Sequence, residues 1–440
     1  MKKLQITVSA LGIVILGAIF YFNASSATYL SFCMSVICTV IFAVLCLRFL
    51  PVWIGEWSGG INKENHTDEP ENMEIKIFVL LVLWDIFIIL LHFAMHRMIS
   101  GNVSFADDLN FWNFTDSCHY IDIARDGYLS YGDWDRLVQL VFLPGYPMVI
   151  GLLNKLVGNY LYSAMIASGL CFALSGVVLY RLARLDYCHS DAIRTVKYFC
   201  ILPAAFFFVA PMSESLFVLC CLSCVYFVRK NKITLGCLFG GMAAFTRSLG
   251  IVLVALVLFD FIGEFIANRN VRDFMKKCAN LLLIPFGFGL YCFINYQVSG
   301  EFFQFMEYQK VHWNQSFGWF FNTASYQTEY AMCTFADNPH NFFGLWLPNL
   351  IAIFSALIII TLAVKKIKGG YTAFFIGYFI IAIGATWLLS APRYMIGCFV
   401  LPIAISQITK NKKADFCISI VCLIGYILYF SAFLNRWQVW

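Results

Sequence analysis

The sequence predicts an all-α polytopic membrane protein, and three observations carry that prediction. Hydrophobic residues make up 61% of the 440 residues and charged residues only 12%, where soluble domains run near one half and one quarter. Mean hydropathy is +0.76. A water-soluble chain of this length could not cover its surface with so few charges, and the chain is too apolar for disorder. Finally, apolar runs close to the length that crosses a bilayer as a helix, roughly 20 residues, recur from one end to the other.

Thirteen candidate spans follow in order: 4–22, 28–50, 75–96, 160–182, 195–211, 213–229, 233–246, 249–264, 278–297, 345–364, 371–390, 393–408 and 414–434. The first follows Lys2-Lys3, has no small-residue cleavage site behind it and is succeeded at once by a second run. It therefore reads as an uncleaved span. The N-terminal part, 1–96, holds spans one to three, with a polar, aperiodic linker at 51–74. Residues 97–159 form a large loop rich in aspartate. Within it the apolar piece 138–157 is interrupted by Pro144-Gly145-Tyr146-Pro147, which breaks helix hydrogen bonding and marks an interfacial or re-entrant helix. Residues 160–297 supply core spans, 298–344 a second large loop with Glu301, Glu307, Glu329 and Asp337, and 345–440 the last spans.

With the N-terminus placed in the cytoplasm, the inner segments hold 22 of the 30 Lys and Arg residues, as the positive-inside rule requires. Both large loops then face outward. The net charge of +5 is scattered in short clusters between apolar runs, which excludes a nucleic-acid surface. Most of the 17 cysteines sit inside apolar runs, where Cys acts as a small hydrophobe. No CxxC pair flanks a His cluster, so no zinc site is expected. No GxxxxGK[ST] or GxGxxG occurs, which leaves a cytoplasmic nucleotide site unsupported.

The polar chemistry concentrates in the first loop. Residues 116–128 place Tyr120, Ile123, Ala124 and Tyr128 at the spacing of a short amphipathic helix on the membrane surface. Asp116 and His119, three apart, share a helix face if the helix starts that early. A carboxylate beside an imidazole at the membrane could take a proton from a sugar or lipid hydroxyl; equally, these acids could be solvated loop residues.

The pattern DxxHYxxIAxxGY (Asp116, His119, Tyr120, Ile123, Ala124, Gly127, Tyr128) followed by FLPGYP (Phe142 to Pro147) resembles the signature of the PIG-V family, which contains the second mannosyltransferase of GPI-anchor synthesis and many bacterial relatives. LPAAFFFVAPMSESLF (Leu202 to Phe217) and GGMAAFTRSLG (Gly240 to Gly250) resemble two further family blocks in the same order. The resemblance runs from about 112 to 264, and SAPRY (Ser390 to Tyr394) extends it weakly. Two features depart: Thr115 stands where relatives usually have Trp, and two extra spans precede the acidic loop. The second departure points to a bacterial or divergent member.

The resemblance implies a GT-C bundle and a glycosyltransferase, with mannose inferred from kinship. Such enzymes take a sugar from a polyprenyl- or dolichyl-phosphate donor on the non-cytoplasmic face and pass it to a glycolipid or glycan acceptor. It implies inverting transfer with Asp116 as general base. Arg247 and Arg393 are candidates to hold the leaving phosphate, or else interfacial arginines reaching lipid headgroups. His119 binds phosphate or hydrogen-bonds Asp116. Glu214 holds Arg247 in a structural ion pair or contacts an acceptor hydroxyl. Tyr128, Tyr146 and Trp313 are candidate sugar or isoprenoid contacts, or belt aromatics; for Gln309 only a structural role is visible. No metal and no cofactor is expected, because Asp133-Trp134-Asp135 lacks a third ligand.

Two rivals stand beside this reading. A multi-span lipid or glycan flippase would draw on the intramembrane acids Asp85, Asp260 and Glu264; a non-catalytic subunit of a glycosylation complex would need no base. Sequons at Asn23, Asn102, Asn113 and Asn314 lie on the expected outer side and Asn65 inside. A glycan at Asn113 would crowd Asp116, which favours a bacterial plasma membrane over the endoplasmic reticulum.

Overall fold

A computed structural model describes residues 2–59, 72–129 and 138–439. The chain is helical, and among the described residues the only extended pairing is a single antiparallel bridge between Phe317 and Ala385. Among the described residues, eight helices are long and apolar enough to cross a membrane, and Ile233–Thr246 and Gly369–Ile383 are shorter apolar helices. The chain is an integral membrane protein.

Burial ranks the spans. The helix at Tyr160–Arg184 has 61% of its most apolar window inside the protein, whereas the first, Gln5–Asn23, has 0%. The former is central and the latter is peripheral, most of its side chains exposed and only Leu16, Ile19 and Phe20 packed against the core. Helix Glu214–Arg229 packs between Tyr160–Arg184 and Ile233–Thr246, and Ile233–Thr246 in turn packs on Leu283–Ser299. That last contact needs glycine: a Cβ on Gly287 would run into the backbone of Gly241. Small residues at such crossings let helix backbones approach closely in lipid.

Among the described residues, not every one of the thirteen candidate spans is a continuous helix, for local reasons. The 195–211 run stops at Ile201 before Pro203 and resumes as a 3₁₀ turn, Ala205–Phe208, as expected where proline removes a donor and clashes with the preceding turn. The 393–408 run splits at Gly397 into Ala391–Ile396 and Val400–Ile408. These broken pieces are buried against other helices, which is where irregular backbone is tolerated at membrane depth. The 138–157 piece is short, as expected: a 3₁₀ turn at Val138–Val141, then a 13-residue helix, Gly145–Val157.

Two expected connections are helical instead. The linker expected from 51 begins later, because helix Tyr29–Gly59 runs through Pro51. Its end is held by Trp57 against Phe259 (5.2 Å between centroids) and by Glu56, which accepts from the Gly369 amide at 3.0 Å. Residues 60–71 lie outside the described residues. The second large loop, 298–344, contains helices Gln304–Trp313 and Phe320–Asp337. The latter packs along Tyr29–Gly59, with the Phe42 and Phe320 rings 4.6 Å apart.

Candidate functional site: an acid–arginine cluster at the converging helix ends

Four elements deliver charge to one place. Asp116 is the first residue of helix Asp116–Asp126. Just before it, Thr115 sits at φ 50°, an unfavourable backbone for a β-branched residue. The Ser117 hydroxyl accepts from the Phe114 amide at 2.6 Å and fixes the turn. Glu214 opens helix Glu214–Arg229, where the exposed backbone amides favour a carboxylate. Arg247 occupies the extended residue between helix Ile233–Thr246 and the 3₁₀ turn Ser248–Val252. Arg393 lies in the short helix Ala391–Ile396, whose first turn carries Pro392.

The segment carrying Arg393 is held by buried polar side chains from two other helices. Thr323 donates to the Ile383 carbonyl (2.6 Å) and Gln327 to the Leu388 carbonyl (2.6 Å). Asn349 donates to Gln327 and to the same carbonyl, and its Oδ1 accepts from the Ala391 amide at 2.9 Å. These bonds replace the helical ones lost where the chain unwinds after Ile383.

Arg393 is the hub. Its Nη2 lies 2.6 Å from Asp116 Oδ2 and its Nε 2.5 Å from Glu214 Oε1. Arg247 binds the same Glu214 oxygen and donates to Ser213 Oγ at 3.2 Å. Ser213 also bonds the Tyr120 hydroxyl, 2.9 Å away, which locks the helix bearing Asp116 to the one bearing Glu214. Burial pushes the Tyr120 phenol well above the usual tyrosine range, and the charge of Asp116 adds to the push. Glu214 is 1% exposed and Arg393 5%. Two acids and two guanidiniums make the cluster neutral, as charges this deep must be. The Asp116 side chain, 31% exposed, is the reachable member.

The cluster forms one wall of a 740 Å³ cavity. Asp116, Arg247 and Arg393 line it, with Phe142, Trp313 and Trp387 offering flat apolar faces and Gln309 and Lys310 adding polar groups. Of the residues expected to touch substrate, Asp116, Arg247 and Arg393 therefore meet in the cavity, and Glu214 stands directly behind them. Three others stand elsewhere. His119 stacks on Phe142 (4.6 Å, 21° between planes) and does not itself line the cavity. Tyr128 donates to the Phe142 carbonyl. Tyr146 is fully buried, its hydroxyl bonded to the Ala164 carbonyl at 2.8 Å and to Ser168 at 2.7 Å. The FLPGYP stretch thus positions Phe142 as wall. Gln309, expected to be structural, lines the cavity, as does Trp313. The sequence assigns no site role to Tyr120 or Ser213, although both lie in the family-like blocks, and passes over Lys310 and Trp387; Lys310, in the same segment as Gln309 and Trp313, is the one with a signal in the sequence. Asp133-Trp134-Asp135 lies outside the described residues.

Fold and site together define a class: a many-helix membrane protein with an acid–arginine cluster that opens into a cavity with aromatic walls. Sequence comparison makes the class specific. The chain belongs to the mannosyltransferase (PIG-V) family, whose model matches residues 78–323, more than half of the chain. Asp116, Glu214 and Arg247 fall inside that match and Arg393 outside it. GPI alpha-1,6-mannosyltransferase 2 of Homo sapiens is 28% identical over 191 residues, and that of Rattus norvegicus 27% over 200. These matches take in 40% and 41% of this chain but only 37% and 39% of the relatives' own length. Among solved structures, ArnT from Cupriavidus metallidurans bound to undecaprenyl phosphate is similar, with a TM-score of 0.48 and 14% identity, over 84% of this chain and 77% of that one.

Proposed function

We propose that the chain is a glycosyltransferase, and specifically a mannosyltransferase, that moves a sugar from a polyprenyl- or dolichyl-phosphate donor to a glycolipid or glycan acceptor by inverting transfer. The observation that carries this reading is the Arg393 bridge between Asp116 and Glu214 at the wall of the cavity. Family membership supplies the sugar class. The charge bias of the inter-helix segments supports a site on the non-cytoplasmic face, in a bacterial plasma membrane or, for a eukaryotic source, the endoplasmic reticulum.

In this mechanism the donor phosphate enters beside Arg393 and Arg247 and competes for their guanidiniums. Arg393 turns from Asp116 to phosphate, which frees the carboxylate to accept the proton of the acceptor hydroxyl. The hydroxyl oxygen attacks the anomeric carbon as the bond to phosphate breaks. The phosphate leaves with the electron pair as polyprenyl phosphate, and the proton ends on Asp116. A positioned base contributes roughly 10²–10⁴ in rate, and the guanidiniums stabilise charge gathering on the leaving group. Trp313 and Trp387 offer faces for sugar or isoprenoid. Neither a metal nor a cofactor takes part.

The flippase alternative draws less support. Of its three acids, Asp260 is bound to Arg229 at 3.1 Å and Glu264 to Lys277 at 2.7 Å. Asp85 stands by itself, its Oδ1 without a partner among the described residues. These do not form a relay.

The test is release of polyprenyl phosphate from labelled polyprenyl-phosphate mannose by the purified protein with an acceptor extract. Turnover with the mannose donor is expected. No release from mannose, glucose or galactose donors would overturn the reading.

A further inference from the structure

A second polar cluster lies away from the Arg393 site, at the start of the same loop. His92 and His96 are one helical turn apart on Met73–Ser100, so their side chains share a face. The short helix Phe105–Phe111 brings Asp108 onto that face. Asp108 Oδ1 lies 2.8 Å from His92 Nδ1 and 2.7 Å from His96 Nδ1. The three donor atoms lie within 4.8 Å of one another.

Hydrogen bonds alone leave this cluster incomplete. Asp108 and His92 are fully buried, and His96 has a side chain 15% exposed. Asp108 Oδ2 and His92 Nε2 are both buried without a hydrogen-bond partner. No Lys or Arg contacts Asp108 among the described residues. The nearby Arg436 is engaged otherwise: it donates to the Phe111 carbonyl at 2.7 Å and stacks over the Phe111 ring at 3.6 Å. If both imidazoles donate through Nδ1–H, a buried carboxylate keeps its charge with no fixed cation beside it, a costly arrangement. His92 Nε2 would then be a bare acceptor among the rings of Phe111, Trp112 and Phe433, whose centroids lie 4.9, 4.6 and 6.0 Å from its own.

We propose that His92, His96 and Asp108 form a structural divalent-metal site of the zinc class. Two imidazole nitrogens with one carboxylate oxygen are a donor set that suits zinc. With one Asp108 oxygen as the third ligand, water completes a four-coordinate shell through the side where His96 is exposed, and the other carboxylate oxygen can accept from that water. Ligation at Nδ1 puts the remaining proton on Nε2, where a donor facing aromatic rings is tolerated and a lone pair is not. Tetrahedral ligands at zinc distances of about 2.0–2.2 Å stand roughly 3.3 Å apart, so the two His–Asp separations open by about half an ångström on binding. The metal would staple the Asp108 helix to Met73–Ser100, and so anchor the loop eight residues before Asp116.

The test uses full-length, tag-free protein in detergent, stripped with chelator and dialysed against Zn²⁺, with metal measured by mass spectrometry. One zinc per chain is expected for wild type and for Asp116→Asn, with at least a tenfold loss in Asp108→Asn and His96→Gln. Should those two variants fail to fold, wild-type protein titrated with Co²⁺ decides on its own: visible d–d bands of a low-coordinate cobalt ion are expected. Substoichiometric zinc in wild type, zinc retained by folded Asp108→Asn, or no cobalt bands would each overturn the site and leave a protonated His–Asp pair in its place.

Discussion

Replacing Glu214 by Gln is the sharpest perturbation of the charged cluster, because it removes one charge and almost no volume. Wild type balances two carboxylates against two guanidiniums; the variant leaves two guanidiniums facing Asp116 alone. Glu214 Oε1 receives both arginines and is 1% exposed, and the Arg393 and Arg247 side chains are 6% and 13% exposed, so solvent screens little. Each attraction is worth about 4 kcal/mol at charge separations near 4 Å with an effective dielectric of 20. Part of the loss is offset because a buried carboxylate no longer has to be desolvated and the amide oxygen still accepts. The net cost expected for breaking a buried pair is about 3–5 kcal/mol. Thermal or denaturant unfolding in detergent reads it directly. Adding Arg247→Met restores neutrality, and the double variant should recover at least half of the loss, a coupling expected only of groups in contact. A single variant within about 0.5 kcal/mol of wild type, or a double variant whose two costs simply add, would refute the charge-balance reasoning.

Asp116→Asn should lower turnover by about 10²–10⁴ while donor binding persists, measured as polyprenyl phosphate release alongside a donor-binding titration. Asn349→Ala removes the side chain that ties Gln327, the Leu388 carbonyl and the Ala391 amide together; stability should fall by about 1–3 kcal/mol, and turnover should drop although Asn349 does not line the cavity. A Cβ on Gly145 would collide with the Thr246 side chain and backbone, next to Arg247, so Gly145→Ala should cost about 1–3 kcal/mol in the same unfolding assay. Gly287→Ala should cost a similar amount, about 1–3 kcal/mol, by forcing its helix away from Gly241.

What the sequence disclosed and what it hid follow from the range of the forces involved. The apolar runs and the positions of Asp116, Glu214, Arg247 and Arg393 were legible because breakers and charges punctuate hydrophobic stretches one at a time. That these four residues meet in one cluster is visible only in the fold, through the Arg393 bridge. Hidden were contacts that depend on partners on other helices. Helix Phe320–Asp337 reads as a polar loop because Thr323, Gln327 and Thr328 turn inward, the first two to hold the unwound chain before Arg393. Pro51 reads as a stop, yet packing of Trp57 on Phe259 carries the helix to Gly59. Tyr146 reads as a ligand contact because a tyrosine in a Pro-Gly motif at an interface looks available; its partners Ala164 and Ser168 appear only in the folded bundle. His92, His96 and Asp108 escaped notice because the third member is twelve residues from the second and lies on a different helix.

The central claim is that Arg393 exchanges Asp116 for the donor phosphate. A structure of the protein with polyprenyl phosphate bound measures this most directly. The account predicts the phosphate within hydrogen-bond reach of Arg393, with Asp116 released and facing open cavity. A phosphate bound at the other end of helix Glu214–Arg229, near Arg229, with the Arg393–Asp116 contact intact, would contradict it.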